Sequence, residues 1–147
     1  MMTTVNIYLT FEGNCQQAFD FYKSVFGGDF HYVSRFGEMP PQEGVPPLSD
    51  DMKDKIMHIS LPISKETVLM GSDTGGEWSP DFKVGNNFSI SVDTDSKDSA
   101  DNIFNKLVLG GEVKMPMNQT FWGDYFGMVR DKFDINWMIG FNENPKK

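Results

Sequence analysis

The feature that most constrains this chain is an internal repeat at a fixed offset. Residues 25–30 read Val-Phe-Gly-Gly-Asp-Phe and residues 108–113 read Val-Leu-Gly-Gly-Glu-Val, so the second copy lies 83 residues after the first. The same offset relates two alternating apolar segments, in which Val5, Ile7 and Leu9 correspond to Phe88, Ile90 and Val92. A repeat of this kind indicates that one supersecondary unit occurs twice.

Each copy predicts a strand, a helix and three further strands. The alternating segments have the period of half-buried strands, and the helical pattern after each of them ends at a Gly-Gly pair that suits a left-handed C-cap. We predict later strands at 29–36, 55–63 and 67–72 in the first copy, and at 112–117, 123–131 and 135–141 in the second. The predicted fold is therefore α+β, with two tandem βαβββ modules, 4–73 and 86–142, in a single domain over 1–147.

Both predicted helices have one apolar face, which we expect to cover a sheet. The first is predicted over Cys15–Phe26, with Asn14 as the N-cap and Gln17 as its capping-box partner. The second is predicted over Lys97–Leu109, with either Asp95 or Ser96 as the cap.

Composition excludes several classes of partner. The 21 acidic and 13 basic side chains give a net charge of −8, which repels a nucleic-acid backbone. No apolar run reaches the roughly 18–20 residues of a membrane span. We therefore expect neither a nucleic-acid nor a membrane partner. The single cysteine, Cys15, excludes an internal disulfide and fits a reducing compartment, and the N-terminus has no signal-peptide pattern, so we expect a cytoplasmic protein.

Two long connections are predicted to be irregular chain. Gly37–Asp54 contains four prolines and an acidic stretch, and it is expected to be either disordered or a flap over a site. Asp73–Gly85 contains Trp78, which would either cover a pocket mouth or pack down as a plug.

Segments along nearly the whole chain carry a family resemblance. They are Tyr8-Leu9-Thr10-Phe11, Ala18-Phe19-Asp20-Phe21-Tyr22, Ile56-Met57-His58, Val68-Leu69-Met70-Gly71-Ser72-Asp73, Phe121-Trp122-Gly123-Asp124 and Trp137-Met138-Ile139. With the duplicated βαβββ unit, they resemble the vicinal oxygen chelate superfamily of glyoxalases, extradiol dioxygenases, fosfomycin-resistance enzymes and bleomycin-binding proteins. The closer resemblance is to its PhnB-like branch, some of whose members carry a demethylubiquinone methyltransferase label. The sequence has no Gly-rich cofactor loop in a βαβ unit that would support that label.

The resemblance implies a shape and an assembly. Each module should curl its strands into a half-barrel, and the two should form a cupped, barrel-like mixed sheet around a cavity. Family members are commonly homodimers, so we expect a homodimer here. In the last hairpin, relatives usually read Asp-Pro-Phe-Gly, whereas this chain reads Asp131-Lys132-Phe133-Asp134, from which we expect a less rigid turn.

Metalloenzymes of the superfamily hold a divalent cation through His, Glu or Gln on the first and last strands of each module. The matching positions are Asn6 or Ile7, Met70 or Gly71 with Asp73 just beyond, Asn87, and Met138. None of the aligned positions is His or Glu, an amide oxygen alone is a poor ligand, and a thioether does not suit a hard cation. We therefore predict no cofactor, and a divalent metal only if the ligands align differently.

Some side chains have both a functional and a structural interpretation. His58 is either a general base or hydrogen-bond donor facing the cavity, or a packed strand histidine. Asp73 either pairs with His58 or a ligand, or serves a turn. Cys15 is expected to be a buried structural thiol, because it falls on the apolar face of its helix. No catalytic residue is assigned.

The segment 121–127 is the densest aromatic stretch, and it forms either a stacking wall for a flat ligand or the core of a strand pair. The predicted ligand-binding residues are Tyr8, His58, Asn87, Trp122 and Tyr125.

Three functions remain open. The first is a metal-free protein that binds a small organic molecule. The second is a metal-dependent isomerase, lyase or dioxygenase, and the third is a regulatory or interaction module whose cavity is filled by side chains.

Overall fold

The computed structural model describes residues 3–40, 43–44, 48–75 and 80–143. The chain divides into two compact units, Met1–Phe82 and Lys83–Lys147. The first contains β1 (Ile7–Phe11), α1 (Cys15–Phe26), β2 (Tyr32–Arg35), a 3-10 turn (Phe36–Glu38), α2 (Asp50–Lys53), β3 (Ile56–Pro62) and β4 (Val68–Asp73). The second contains β5 (Ile90–Thr94), α3 (Lys97–Leu107), β6 (Glu112–Gln119), β7 (Tyr125–Arg130) and β8 (Asn136–Phe141). The α+β class and the two βαβββ modules are confirmed, while the grouping of both modules in a single domain stays a prediction.

Each unit contains one four-stranded mixed sheet, and the two sheets have the same strand arrangement. The orders are β1-β4-β3-β2 and β5-β8-β7-β6. The first and last strands of each module are parallel neighbours, with Ile7 opposite Leu69 and Ile90 opposite Trp137, and the remaining pairs are antiparallel. Strand β5 falls 83 residues after β1 along its whole length, as the repeat predicts. Within the described residues each sheet ends in two edge strands and is not closed.

Helix α1 buries the apolar face that its spacing predicts, but its N-terminus is capped differently. Asn14 is the N-cap residue, as predicted, but its side chain accepts no capping hydrogen bond, so that part of the prediction is wrong. The carboxylate of Asp73, at the end of β4, takes that place, and its Oδ1 accepts from the backbone N–H of Gly13 at 3.1 Å and of Cys15 at 2.8 Å. Its Oδ2 accepts from the N–H of Ile56 at 2.8 Å. One buried carboxylate therefore joins the start of the helix to β3 and β4.

Helix α3 is capped locally, as predicted. The side chain of Ser96 accepts a hydrogen bond from the N–H of Ser99 at 3.0 Å. The helix ends at Leu107 rather than at the predicted Leu109. The reason is a tighter last turn, because the N–H of Leu109 bonds to the carbonyl of Lys106, three residues back instead of four. The longest described helix, α1, has 12 residues. No helix among the described residues is long and apolar enough to cross a membrane.

Each long helix packs a phenylalanine ring directly against a glycine of its own sheet. A Cβ added to Gly71 in β4 would lie 2.6 Å from the ring of Phe19 and 2.8 Å from the carbonyl oxygen of Leu9. A Cβ added to Gly127 in β7 would lie 2.9 Å from the ring of Phe104. Glycine at these strand positions lets the helix approach the sheet backbone closely.

The turn between β7 and β8 forms the predicted hairpin around one buried carboxylate. Oδ1 of Asp131 accepts hydrogen bonds from the N–H of Phe133 at 2.8 Å and of Ile135 at 3.1 Å, and Oδ2 accepts from the indole Nε1–H of Trp137 at 2.8 Å. Asp134 adopts a φ of 69°, which Asp tolerates better than most residues. These hydrogen bonds hold the turn without a proline, and the expectation of a less rigid turn stays a prediction.

The first long connection is more regular than predicted. Its described part contains the 3-10 turn Phe36–Glu38 and helix α2, Asp50–Lys53. In the second connection, Asp73 is the last residue of β4 rather than loop, and Trp78 lies outside the described residues.

Candidate functional site

A cavity of about 620 Å³ lies on the second unit, on the sheet face opposite helix α3. Strand alternation explains which side chains reach it, because successive residues of a strand point to opposite faces. Ile90 on β5 and Trp137 and Ile139 on β8 are buried on the helix side. The cavity is lined by Ser91, Asp93, Thr94, Asp95, Asp124, Phe126, Met138, Gly140, Phe141, Asn142 and Glu143.

The hollow arises where a glycine interrupts a row of side chains. In the registers of β5, β8 and β7, Asp93 lies opposite Gly140, and Gly140 lies opposite Phe126. Because Gly140 has no side chain, the backbone of β8 forms the floor between a carboxylate on one side and an aromatic ring on the other. In the neighbouring row, Ser91 lies opposite Met138.

Asp124 holds one end of this cavity in a fixed geometry. Its side chain is buried, and its Oδ2 accepts from the indole Nε1–H of Trp122 at 2.8 Å, while Oδ1 accepts from the amide of Asn142 at 2.6 Å. The Trp122 ring packs at 6.3 Å from Phe126, between ring centroids. Trp122 is not in the lining of the cavity, and it contacts two residues that are, Asp124 and Phe126.

Two other predicted residues meet on the sheet of the first unit. The hydroxyl of Tyr8 lies 3.3 Å from Nδ1 of His58, and their ring centroids are 5.6 Å apart. The ring of Tyr32 lies on the same histidine at 5.7 Å. Ser34, opposite His58 in the β2–β3 register, is buried, and its hydroxyl has no hydrogen-bond partner among the described residues. The structure thus brings two of the predicted ligand-binding residues, Tyr8 and His58, into contact, and their binding role stays a prediction.

The remaining two predicted residues lie elsewhere. Asn87 is exposed in the segment before β5. Tyr125 lies on the helix side of its sheet, where its hydroxyl donates to Oδ1 of Asp101 at 2.6 Å and the ammonium of Lys97 sits 5.3 Å from the ring centroid. The hydrogen bond to Asp101 raises the pKa of Tyr125, and burial and the charge of that carboxylate act in the same direction. Tyr125 therefore joins β7 to α3 instead of extending the wall formed by Phe126.

Asp73 and Cys15 have structural surroundings. Asp73 accepts the three backbone N–H groups described above, so neither a pair with His58 nor a turn describes its place. The thiol of Cys15 is fully buried, and its burial, with a smaller effect from the charge of Asp73, raises its pKa. A thiol with a raised pKa is a poor nucleophile, as the sequence indicated.

The residues at the superfamily's metal positions do not fit a divalent cation. Met70 is on β4 and Met138 on β8, and both would offer a thioether, which suits soft metals. Ile7 pairs with Leu69 in the parallel ladder and offers no donor atom. Among the described residues, no group of three or more His, Cys, Asp or Glu side chains is arranged to hold a metal.

Several residues of the cavity were not predicted from the sequence, although the alternation of residues along β5 could have indicated some of them. Ser91 and Asp93 are two residues apart in β5, so strand alternation places their side chains on the same face of the sheet. Asp95 continues this spacing just after the strand ends. The contributions of Phe126 and Gly140 depend on strand register, which no local pattern reveals.

Comparisons with known proteins agree along nearly the whole chain. A sequence model of the family described as 3-demethylubiquinone-9 3-methyltransferase matches residues 3–140. Protein YjdN from Escherichia coli (strain K12) is 30% identical over 137 residues, which cover 90% of each chain. The crystal structure of protein PA1353 from Pseudomonas aeruginosa has 36% identity and a TM-score of 0.80, with 97% of this chain and 100% of that chain covered. The PhnB protein from Bacillus cereus has 22% identity and a TM-score of 0.71, with 95% and 98% covered.

A more distant likeness concerns the fold alone. The fosfomycin resistance protein FosX from Listeria monocytogenes, in its complex with Mn(II) and sulfate ion, has a TM-score of 0.63 at 11% identity, with 97% of this chain and 93% of that chain covered. The arrangement of strands and helices is thus shared with a metal-binding protein.

Proposed function

This chain belongs to the family described as 3-demethylubiquinone-9 3-methyltransferase, within the PhnB-like branch of the vicinal oxygen chelate superfamily. From that premise we propose that it binds a small organic molecule in the cavity of its second module without a metal. The observation that carries the proposal is the hollow between Asp93 and Phe126 over the bare backbone of Gly140.

The size and chemistry of the cavity support this proposal. Its volume of about 620 Å³ falls within the range of roughly 300–1,000 Å³ that small-molecule sites occupy. Its lining combines apolar surface, from Phe126, Met138 and Phe141, with seven polar or acidic side chains. A cavity of this volume also argues against a module whose interior is filled by its own side chains.

The methyltransferase description finds little support in this chain's local structure. A nucleotide-type cofactor is held by a Gly-rich turn between the first strand and helix of a βαβ unit. Here the link from β1 to α1 is Glu12-Gly13-Asn14, and its Gly13 N–H is already bonded to Asp73. We therefore propose binding rather than methyl transfer.

Binding can be tested with three probes that share one ring system: naphthylmethanol, naphthylmethylamine and naphthoate. At least one should produce saturable shifts of the amide resonances of Met138 and Gly140 in an NMR titration. A ligand of this size is expected to have a dissociation constant of roughly 1 mM or tighter. The variant Ser91→Trp, which places a ring in the cavity, should weaken that binding about tenfold or more.

The matched control is Ser24→Trp, because Ser24 is exposed on α1 in the other unit. This variant should bind as the parent protein does. Absence of saturable shifts with all three probes, or shifts that Ser91→Trp leaves unchanged, would contradict the proposed function.

We also propose that the protein acts as a homodimer. Large apolar side chains are exposed in both units, among them Tyr8, Tyr32, Val113, Met115 and Trp122. Exposed apolar surface of this kind is typical of interfaces between subunits.

We further propose a cytoplasmic location. The one cysteine, Cys15, is a buried free thiol, which is compatible with a reducing compartment. Cell fractionation that finds the protein elsewhere would contradict this.

A further inference from the structure

The cavity of the second unit has a strongly one-sided charge. Four of its lining residues are acidic, namely Asp93, Asp95, Asp124 and Glu143, and none of the described lining residues is basic. Within the described part of the chain, Asp93, Asp95 and Glu143 take part in no ion pair. A concave surface with one sign of charge concentrates its field, and the whole chain, at −8, adds to the same sign.

The base of the cavity differs from its edge. Phe126 and Met138 present an aromatic ring and a thioether on the sheet face opposite α3. An aromatic face attracts a cation through its quadrupole. A hard metal ion would instead need several oxygen ligands in one place, and the described residues contain no such group of three or more side chains.

These features complement a molecule that carries a positive charge on an apolar body. We propose that the cavity selects organic cations, meaning amines that are protonated near neutral pH or quaternary ammonium compounds with an aromatic or aliphatic body. This inference rests on the proposed function and names its ligand class. The apolar body would lie over Gly140 against Phe126, and the charged head would face Asp93 and Asp95.

The test compares the dissociation constants of naphthylmethylamine and naphthylmethanol at about pH 7, where the amine is protonated. The amine should bind at least about tenfold more tightly than the alcohol, a difference of about 1.4 kcal/mol, and naphthoate should bind most weakly. The double variant Asp93→Asn/Asp95→Asn should lower the affinity for the amine far more than the affinity for the alcohol and so remove most of the preference for the amine. Added salt should weaken binding of the amine alone.

The control is Asp98→Asn/Glu112→Gln, which removes the same amount of charge from exposed residues of the same unit outside the lining. It should retain the preference for the amine. Equal affinities for amine and alcohol, with saturable binding in the cavity, would overturn the charge selection while the proposed function stands. A preference that the control variant lowers as much as the Asp93/Asp95 variant does would also overturn it. Absence of binding by all three probes would overturn both.

Discussion

At the scale of single residues, Asp73 illustrates how a buried carboxylate can stabilise several elements at once. It is the last residue of β4, and its two oxygens accept three backbone N–H groups, from Gly13, Cys15 and Ile56. These donors are at the start of α1 and β3. Without the carboxylate they would be left without this partner in a place with little water, which costs far more than the net value of a made hydrogen bond.

We predict that Asp73→Ala lowers the free energy of unfolding by about 3 kcal/mol, because three backbone donors lose their acceptor. Urea denaturation followed by circular dichroism measures the change. The control is Asp29→Ala, since Asp29 makes an exposed ion pair with Lys23, and it should change stability by less than about 0.5 kcal/mol. If Asp73→Ala and Asp29→Ala lowered the free energy of unfolding equally, the hydrogen bonds of Asp73 would not have the stabilising effect proposed here.

At the scale of elements, the close approach of each helix to its sheet depends on a missing side chain. Phe19 of α1 lies against Gly71 of β4, and Phe104 of α3 lies against Gly127 of β7. The same solution occurs in both modules at strands that do not correspond in the repeat. Glycine is therefore required at these two positions because the helix leaves no room for a side chain, and not because of the backbone conformation.

We predict that Gly71→Ala lowers the free energy of unfolding by about 1–3 kcal/mol, because its Cβ would lie 2.6 Å from Phe19 and 2.8 Å from the backbone oxygen of Leu9. Gly75→Ala is the matched control, since among the described residues its Cβ would meet only the Cγ of Glu12, at 3.9 Å. Thermal unfolding of both variants under one set of conditions provides the comparison. A Gly71→Ala protein as stable as Gly75→Ala would mean that the helix moves away from the sheet without cost.

The sequence predicts individual helices and hairpins better than it predicts contacts between distant residues. The helix at Cys15–Phe26 and the hairpin at Asp131 follow from local spacing and turn chemistry, which neighbouring residues determine. The cap from Asp73 to Cys15 joins residues 58 apart, so no local pattern contains it. The side of Tyr125 depends on strand parity, and an error of one residue reverses it. The cavity at Gly140 needs the registers of three strands together, and it therefore became visible only in the structure.

At the scale of the whole molecule, net charge governs how copies of the chain meet. Each copy carries −8, so the charges of two copies repel each other, and in the proposed homodimer contact between apolar surfaces must offset this repulsion. Salt screens the repulsion between exposed charges and leaves the apolar contribution in place.

We predict that light scattering after size exclusion gives a mass of about twice the 16.7 kDa of the chain, and that dimerisation strengthens as the salt concentration rises from about 0.05 M to 0.5 M. Sedimentation velocity at several protein concentrations provides a second measurement. A mass near 16.7 kDa at every salt concentration would contradict the homodimer.

The caps of α1 and α3 also differ in how early each can form while the chain is being synthesised. The cap of α3 is three residues from its donor, so it forms as soon as the helix has left the ribosome. The cap of α1 must wait for Asp73, 58 residues after Cys15. At a translation rate of about 5–20 residues per second, this interval lasts roughly 3–12 s. During that time the start of the first helix lacks the acceptor that Asp73 provides, and β4 is not yet present to cover the apolar face of the helix.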